Sequence, residues 1–316
     1  MGIKIISTGK GLPEHILTND HLSEFLDTSD EWISSRTGIR ARPVAKTESL
    51  SDLAFAAANE ALERAGISAG ELDLIICSTV RGDFVLPSLA CAVAEKLGTF
   101  CPAFDINAAC SGFIYALSVA EGFVASGRAK KILVICAEMM SRLVDWTDRS
   151  SCVLFGDGAA ACVVLPGDSL KYLKITAQGN THTLVMPADN GNSPFLPQFG
   201  GGFLKMQGQE VFRFAVSQIG EQIDAALAAL GLEAGDIDLF LLHQANKRII
   251  DSARTRLGLP EEKFPTNIEN CGNISSVSLP LLLDEMLCAG KIKTGDRLLL
   301  SAFGAGLTTG TAVLVW

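Results

Sequence analysis

The stretch AGISAGELDL at residues 65–74 returns later in the chain as LGLEAGDIDL at residues 230–239. Gly66, Ala69, Gly70, Asp73 and Leu74 each recur 165 residues further on. This offset is about half of the 316-residue chain, whereas solenoid repeats have periods of about 20–50 residues. The repeat therefore predicts a duplicated domain.

Two weaker repeats support the duplication. Gly127 and Gly290, 163 residues apart, each precede a predicted strand dotted with Lys and Arg. The motif FGDG at residues 155–158 is matched by FGAG at residues 303–306. We therefore expect two similar halves, residues 1–168 and residues 169–316.

The repeat also relates side chains that carry chemistry. The 163-residue offset carries Cys110 onto Asn273, and the 165-residue offset carries Ser78 onto His243. Equivalent positions of a duplicated fold lie close to its pseudo-twofold axis. We therefore expect Cys110, His243 and Asn273 to meet in one catalytic site.

Composition excludes several classes of protein. With 48% hydrophobic residues, 19% charged residues and a net charge of −9, the chain is typical of a globular protein and disfavours general binding of nucleic acid or anionic membranes. No apolar run reaches the roughly 18 residues of a membrane helix, and Lys4 alone precedes the first apolar stretch, unlike a signal peptide. Nine cysteines without a Cys-x-x-Cys pair and four scattered histidines disfavour disulfides and a metal site. We expect a cytoplasmic protein with reduced thiols.

Strand and helix patterns alternate along the chain, which indicates a layered α/β fold. Apolar runs predict buried strands at residues 72–77, 132–136, 162–165, 239–242 and 298–301. Segments rich in Ala, Leu and Glu predict helices at residues 51–65, 88–97, 110–126, 210–230 and 246–257. The Gly-rich stretch at residues 191–208 predicts a long loop that covers a site.

Cys110 lies in the stretch DINAACSGF at residues 105–113. A strand is expected to end near Asn107, and a helix to begin at about Cys110. Free backbone N–H groups and the helix dipole at such a position favour thiolate over thiol, so we expect the pKa of Cys110 to lie below about 8.5. A buried structural cysteine is the alternative.

His243 and Asn273 lie in the stretches LLHQAN and NCGNISS. His243 follows an apolar strand and enters a helix, at the end of the sheet where open α/β folds place their sites. A buried structural histidine and a helix-capping asparagine are the alternatives; the repeat favours a shared site. Cys, His and Asn in this chain order also occur in papain-type peptidases, but Cys110 lacks the local surroundings of that family.

Together with TSDEWISSRTGIR at residues 28–40, these motifs closely resemble β-ketoacyl-acyl carrier protein synthase III of the thiolase superfamily. The resemblance covers essentially the whole chain. It implies an α/β thiolase-like fold in which duplicated βαβαβαββ halves form a five-layered αβαβα sandwich. It also implies a homodimer and no metal or redox cofactor.

The resemblance implies a role for each matching residue. Cys110 is the nucleophile that takes an acyl group from acyl-CoA, and His243 and Asn273 bind the malonyl thioester carbonyl. The oxyanion and malonyl site comprises Phe303, Gly304, Ala305 and Gly306. The CoA site comprises Thr28, Trp32, Arg36, Arg149, Gly208, Gln209, Phe212 and Asn246. Leu86, which replaces a Phe found in other members, comes from the partner subunit and limits the acyl pocket.

An acidic carrier protein needs a basic patch on this acidic chain. The predicted helix 246–257 carries four basic side chains against the single acidic Asp251. With one residue from the preceding helix, the implied docking patch is Arg213, Lys247, Arg248, Arg254 and Arg256. We expect Arg248 at its centre.

The implied enzyme is an acyltransferase that initiates type II fatty acid synthesis. It condenses a short acyl-CoA, with acetyl-CoA expected first, with malonyl-acyl carrier protein and releases CO2 and CoA. A related synthase with a longer or branched primer, or with a specialised product, is the alternative. A degradative thiolase should carry a second cysteine in its carboxyl-terminal Gly-rich motif, and FGAGLTT has none. From another class, a non-catalytic acyl-CoA-binding module would lack covalent capture.

Overall fold

Strands and helices alternate along the chain in the computed structural model, which describes residues 2–189, 191, 193–197 and 199–316. The strands are β1 (Gly2–Gly11), β2 (Ile16–Thr18), β3 (Ala41–Pro43), β4 (Leu74–Ser78), β5 (Ala103–Ile106), β6 (Ile132–Met139), β7 (Asp157–Gly167), β8 (Leu170–Ala177), β9 (Leu184–Val185), β10 (Lys205–Met206), β11 (Leu239–Leu242), β12 (Arg297–Gly304) and β13 (Thr308–Val315). The helices are α1 (Asn19–Ser23), α2 (Asp30–Thr37), α3 (Leu50–Ala65), α4 (Leu89–Leu97), α5 (Gly112–Ala125), α6 (Gly208–Leu230), α7 (Lys247–Leu257), α8 (Ile268–Cys271) and α9 (Ser278–Cys288).

Two sheets with the same strand arrangement form the two halves. The first has the order β1-β7-β6-β4-β5, in which β6, β4 and β5 are parallel and β7 is antiparallel to both of its neighbours. The second has the order β8-β13-β12-β11, in which β12 and β11 are parallel and β13 is antiparallel to its neighbours. Each strand of the second sheet therefore has its counterpart in the first.

Side chains of the buried strands alternate between the two faces of each sheet, and helices cover both faces. The sheets are therefore the second and fourth of five layers. Leu74 and Ile76 of β4 point to the central core, which α5 and α9 fill between the two sheets. Ile75 and Cys77 point the other way, to the core under α3 and α4. On the second sheet, Leu299 packs with α6 and α7 on the outer side. Because alternate side chains of each strand are buried on opposite faces, both sheets are covered on two sides. The result is the αβαβα sandwich that the resemblance implied.

The predicted equivalence of Cys110 and Asn273 within the repeat was wrong. Ala109 and Ser275 both have positive φ angles, 48° and 49°, in the 3₁₀ turns that precede α5 and α9. The offset is therefore 166 residues here, which pairs Asn273 with Asn107 and Cys110 with Ser276. Because α9 is shorter than α5, the offset falls to 163 only at the glycines that follow these helices.

The second half differs from the first at one strand. Between α7 and α9 the chain forms two short 3₁₀ turns, α8 and loops, and the described residues there form no counterpart of β5. The chain instead crosses to the first half, where Asn273 N–H donates to Leu154 O over 2.9 Å. The proposed boundary falls between β7, which ends at Gly167, and β8, which begins at Leu170, and the division into two domains stays a prediction.

The described part of the chain contains no helix that is both long and apolar enough to cross a membrane. The cysteines are all free thiols; five of them are buried, and Cys91 and Cys288 are exposed.

Candidate active site

Cys110, His243 and Asn273 line one cavity of about 480 Å³. The cavity lies at the carboxyl ends of β11 and β12 and beside the turn that follows β5. The predicted site residues that line it are Cys110, Gly208, Phe212, His243, Asn246, Asn273, Phe303, Gly304, Ala305 and Gly306. Those that do not are Thr28, Leu86, Trp32, Arg36, Arg149, Gln209 and the five basic residues of the docking patch.

Cys110 lies in a 3₁₀ turn rather than in the first turn of an α-helix, since α5 begins at Gly112. The expected fall in its pKa was also wrong. Burial raises the pKa of the Cys110 thiol to about 12, and the negative charge of Glu138 acts in the same direction, while a hydrogen bond from Ser275 opposes them. The resting sulfur is therefore a thiol, because the surrounding protein disfavours an added charge more than the turn stabilises it.

The turn after β12 touches the Cys110 turn directly. A Cβ on Gly304 would lie 2.7 Å from the Cys110 amide nitrogen, so only glycine permits this approach. Thr308, which the sequence reasoning missed, fixes the two turns together. Its Oγ1 lies 3.0 Å from Ala108 O and 3.1 Å from Ala305 O. Residues of both turns line the cavity.

His243 is buried and neutral. Burial lowers its pKa to about 3, and its ring packs edge-on against Phe303 with the ring centroids 5.3 Å apart. Neither ring nitrogen has a hydrogen-bond partner among the residues that the structure describes. A neutral imidazole carries one N–H donor and one lone pair, so both are available to a ligand in the cavity.

Asn273 has its amide oriented by its own turn. Oδ1 accepts a hydrogen bond from the Ser275 amide over 2.9 Å. The Asn273 N–H donates to Leu154 O, and the Asn273 carbonyl accepts from the Gly156 N–H. Because Oδ1 is engaged, Nδ2 is the group left to act on a ligand, and an amide nitrogen is a donor only.

A buried carboxyl group beneath the site was also missed. Glu138, at the end of the apolar strand β6, is 1% exposed and accepts hydrogen bonds from Ser275 and Ser276. A charged residue ending the run ILVICA was the signal that could have identified it. No group of three or more His, Cys, Asp or Glu side chains in the described ranges is placed to hold a metal ion.

The predicted adenine site lies outside the cavity. Arg36 and Arg149 each stack on Trp32, with guanidinium carbons 4.7 Å and 5.1 Å from its ring centroid. Arg149 also donates hydrogen bonds to the backbone oxygen and to the carboxylate of Asp27. At this separation the Trp32 and Arg149 planes are in mutual contact, so an adenine enters between them only if Arg149 moves.

Of Thr28, Gln209 and Asn246, only Asn246 is seen to connect this region to the cavity. Asn246 lines the cavity and donates from Nδ2 to Arg36 O over 3.1 Å, which joins α7 to α2. Thr28 Oγ1 is buried with no hydrogen-bond partner in the described ranges. Gln209 is exposed at the start of α6.

The docking patch carries less free charge than expected. The prediction that Asp251 alone opposes the basic residues was wrong, because Asp224 on α6 forms a two-bond ion pair with Arg256. Glu261 also lies 3.6 Å from Lys247. Arg248 and Arg213 have no acidic partner among the described side chains, and Arg248 stacks on Phe212 at the cavity. Arg248 and Arg213 are therefore the residues of the predicted patch whose charge no described acidic side chain balances, and the docking role itself stays a prediction.

The predicted covering loop begins and ends beside the cavity. The short strands β9 and β10 pair with each other, and Leu184, Met186, Leu204 and Met206 line the cavity. The predicted range 191–208 includes Asn192 and Gln198, which lie outside the described residues, and its last residue already belongs to α6. Leu86 lies elsewhere and is 86% exposed in the single chain.

Comparison with known proteins identifies similar sequences and structures. The family models of 3-oxoacyl-[acyl-carrier-protein] synthase III match residues 104–180, and those of its C-terminal part match residues 227–316. The chain is 48% identical to a β-ketoacyl-[acyl-carrier-protein] synthase III of Xanthomonas campestris pv. campestris, over 98% of this chain and 97% of the relative. The crystal structure of the Aquifex aeolicus 3-oxoacyl-[acyl-carrier-protein] synthase III, 44% identical, superposes over 100% of both chains with a TM-score of 0.93. The priming β-ketosynthase of the R1128 polyketide pathway, 36% identical, superposes over 99% of this chain and 96% of its own with a TM-score of 0.93.

Proposed function

The chain belongs to the 3-oxoacyl-[acyl-carrier-protein] synthase III family, and we propose that it joins a short acyl group from acyl-CoA to malonyl-acyl carrier protein through a thioester on Cys110. It is a condensing enzyme of the acyltransferase type, and its relatives are the enzymes that start type II fatty acid synthesis. The single observation that supports the proposed chemistry is that Cys110, His243 and Asn273 line one cavity.

The first half of the reaction is acyl transfer to sulfur. The Cys110 sulfur attacks the thioester carbonyl of acyl-CoA, CoA leaves as a thiol, and the Cys110 proton is transferred in exchange. Because burial raises the pKa of the thiol, little thiolate exists beforehand, and proton loss must accompany the attack. We assign the binding of the oxygen that becomes negative to amides of the Cys110 and Gly304 turns, and the close approach of these turns supports this assignment.

The second half is decarboxylation and condensation. Cleavage of the bond to the malonyl carboxylate releases CO2 and leaves its electron pair in an enolate. A neutral His243 N–H and the Asn273 Nδ2 are two donors for the enolate oxygen. The enolate carbon attacks the acyl carbonyl, and the Cys110 sulfur leaves as a thiolate as the 3-oxoacyl-carrier protein forms. The thiolate then takes up a proton, which restores the resting thiol. We assign to Phe303, whose ring packs edge-on against His243, the role of disfavouring the charged malonyl carboxylate by desolvation.

We place acetyl-CoA first among the primers and assign Leu86 to the acyl pocket of a partner subunit. The support is that Leu86 and its neighbours Phe84 and Val85 are exposed in the single chain. The strand β5 is also the edge of the first sheet and pairs on one side only. An unpaired edge next to an exposed apolar segment suits a homodimer formed edge to edge. We also assign the enzyme to the cytoplasm, where its free thiols would stay reduced.

A mass measurement tests the covalent step. Intact enzyme is incubated with acetyl-CoA, and we expect one acetyl group to be added to the wild type and none to Cys110→Ser. Cys91→Ser, at an exposed cysteine, is the matched control and should still be acetylated. An adduct that persists in Cys110→Ser refutes the nucleophile, and a wild type that never acylates supports a non-catalytic binding module.

A primer panel tests the substrate. Acyl-CoAs of increasing length and branching are assayed with malonyl-acyl carrier protein, beside the mass of the enzyme in solution. Preference for acetyl-CoA and a dimeric mass support the proposal. Preference for a long or branched primer favours the alternative of a related synthase, and a monomeric active enzyme refutes the assignment of Leu86 to a partner.

A further inference from the structure

Glu138 is a buried ionisable group beside the site, and the proposed reaction does not use it. It lies at the carboxyl end of β6 in the first half, and it is 1% exposed. Its Oε2 accepts from the Val80 amide over 3.0 Å and lies 3.5 Å from Thr79 Oγ1. Its Oε1 accepts from Ser275 Oγ over 3.1 Å and from Ser276 Oγ over 3.0 Å. One carboxylate thus joins the first half to the turn that follows Asn273.

Ser275 is the residue through which this contact reaches the reacting groups. Its amide donates to Asn273 Oδ1, and its hydroxyl donates to Glu138. Ser275 and Cys110 both line the cavity, and a hydrogen bond from this hydroxyl to the sulfur lowers the pKa of Cys110. Its φ of 49° is a left-handed conformation that costs free energy for a residue with a side chain. A conformation of this kind persists only where its surroundings hold it, and Glu138 supplies one such contact.

A serine hydroxyl has only one proton to donate. When Ser275 donates to Glu138, its hydroxyl cannot also donate to the Cys110 sulfur. When it donates to the sulfur, it stabilises a negative charge there. Glu138 therefore competes with Cys110 for the same proton while it anchors the turn.

We propose that Glu138 is a positioning residue that acts through Ser275: it holds Asn273 in place and competes with the Cys110 sulfur for the proton of the Ser275 hydroxyl. Only the predicted effect of Glu138 on turnover rests on the proposed function. The effect on Cys110 exists in the free protein, with no substrate bound.

The charges around Glu138 set the expected direction of its effect on Cys110. Burial raises the pKa of Glu138 to about 7, and the hydrogen bonds from Val80, Ser276 and Ser275 oppose that rise. The ionisable side chains that face it are the thiols of Cys110 on the turn and of Cys136 on β6. The Glu138 charge raises the pKa of Cys110, whereas the Ser275 hydrogen bond lowers it. Removing each group should therefore change thiol reactivity in opposite directions.

Alkylation of Cys110 by iodoacetamide across a range of pH, located by peptide mass, tests this prediction. We expect Glu138→Gln to react about 3- to 10-fold faster than the wild type at pH 8, because a negative charge close to the sulfur is removed. Ser275→Ala should react more slowly, because the donor is lost. Ser276→Ala is the matched control: it removes a hydrogen bond to the same Glu138 oxygen and should leave the Cys110 profile near that of the wild type.

Turnover supplies the second measurement. Release of CO2 from malonyl-acyl carrier protein should fall about 10-fold or more in both Glu138→Gln and Ser275→Ala, because the Asn273 donor is less well held. A purely structural role would lower the melting temperature of the variants without opposite changes in Cys110 alkylation. Unchanged or equal alkylation profiles overturn the positioning role, whatever the substrate is. Opposite profiles without any CO2 release by the wild type would instead refute the proposed function.

Discussion

Asn107 and Asn273 make the same hydrogen bond at equivalent places in the two halves. Oδ1 of each accepts from the amide two residues later, Ala109 at 3.1 Å and Ser275 at 2.9 Å. Both asparagines line the same cavity. The duplicated fold thus places two similar turns face to face. One presents the Cys110 sulfur, and the other presents an amide donor.

Replacing Asn273 by Asp tests the donor without removing the turn. The carboxylate keeps an oxygen for the Ser275 amide but replaces the Nδ2 donor with a negatively charged acceptor. We expect CO2 release from malonyl-acyl carrier protein to fall about 10²- to 10³-fold, the effect of losing one such donor. The acetyl adduct on Cys110 should still form, as intact mass would show.

The equivalent Asn107→Ala variant is the matched control. It loosens the Cys110 turn, so it should slow acetylation while the Asn273 donor stays in place. Decarboxylation that survives in Asn273→Asp, or that fails equally in both variants, contradicts the separate roles of the two turns.

His243 should stay neutral through the physiological range. Burial lowers its pKa to about 3, so we expect its ring carbon resonance in labelled protein to stay constant between about pH 5 and pH 8. The His243→Gln spectrum identifies that resonance among those of the four histidines. A resonance that titrates near the usual histidine pKa of about 6.5 would show that the ring carries a charge in the cavity.

The same shift has a consequence for stability. The unfolded chain binds a proton at this histidine below about pH 6.5, and the folded chain does not. The contribution of neutral His243 to the free energy of unfolding is therefore complete above that pH and is lost as the pH falls toward 3. His243→Gln should show a shallower loss of stability in mild acid than the wild type, measured by denaturant unfolding.

Local patterns predicted the alternating strands and helices, the repeat predicted two similar halves, and the resemblance implied the five layers. Motifs in the sequence mark Cys110, His243 and Asn273. The pairing of Cys110 was wrong because α9 is shorter than α5, and the offset changes along the helix. A helix length of this kind leaves no signal at the catalytic residues themselves.

Charge and burial were harder to predict, since they depend on distant residues. The pKa of Cys110 rises because the folded protein surrounds it, and Glu138, a strand away, adds its charge. The ion pair of Arg256 with Asp224 joins residues on two different helices, and only the packing of α6 on α7 reveals it. A motif around one residue contains no information about such partners.

Adenine binding should require Arg149 to leave Trp32. We expect Arg149→Ala to raise the KM for acetyl-CoA several-fold while CO2 release from malonyl-acyl carrier protein stays near the wild-type rate, because only CoA carries an adenine. Arg40→Ala is the matched control, since Arg40 pairs with Asp30 and Glu269 and does not stack on Trp32. Equal losses with both substrates would place Arg149 in a different role.

Carrier-protein docking should depend on the arginines that lack acidic partners. Arg248 is exposed, stacks on Phe212 and pairs with no acid in the described chain, whereas the charge of Arg256 is matched by Asp224. We expect Arg248→Glu to weaken binding of malonyl-acyl carrier protein by about 10-fold or more, and Arg256→Gln to change it far less. Binding is measured by titration at two salt concentrations, because attraction between exposed charges weakens as salt screens it. CoA binding is measured in the same variants and should stay unchanged in Arg248→Glu. Equal losses of carrier-protein binding in the two variants would show that the whole face of α7, rather than Arg248, contacts the carrier.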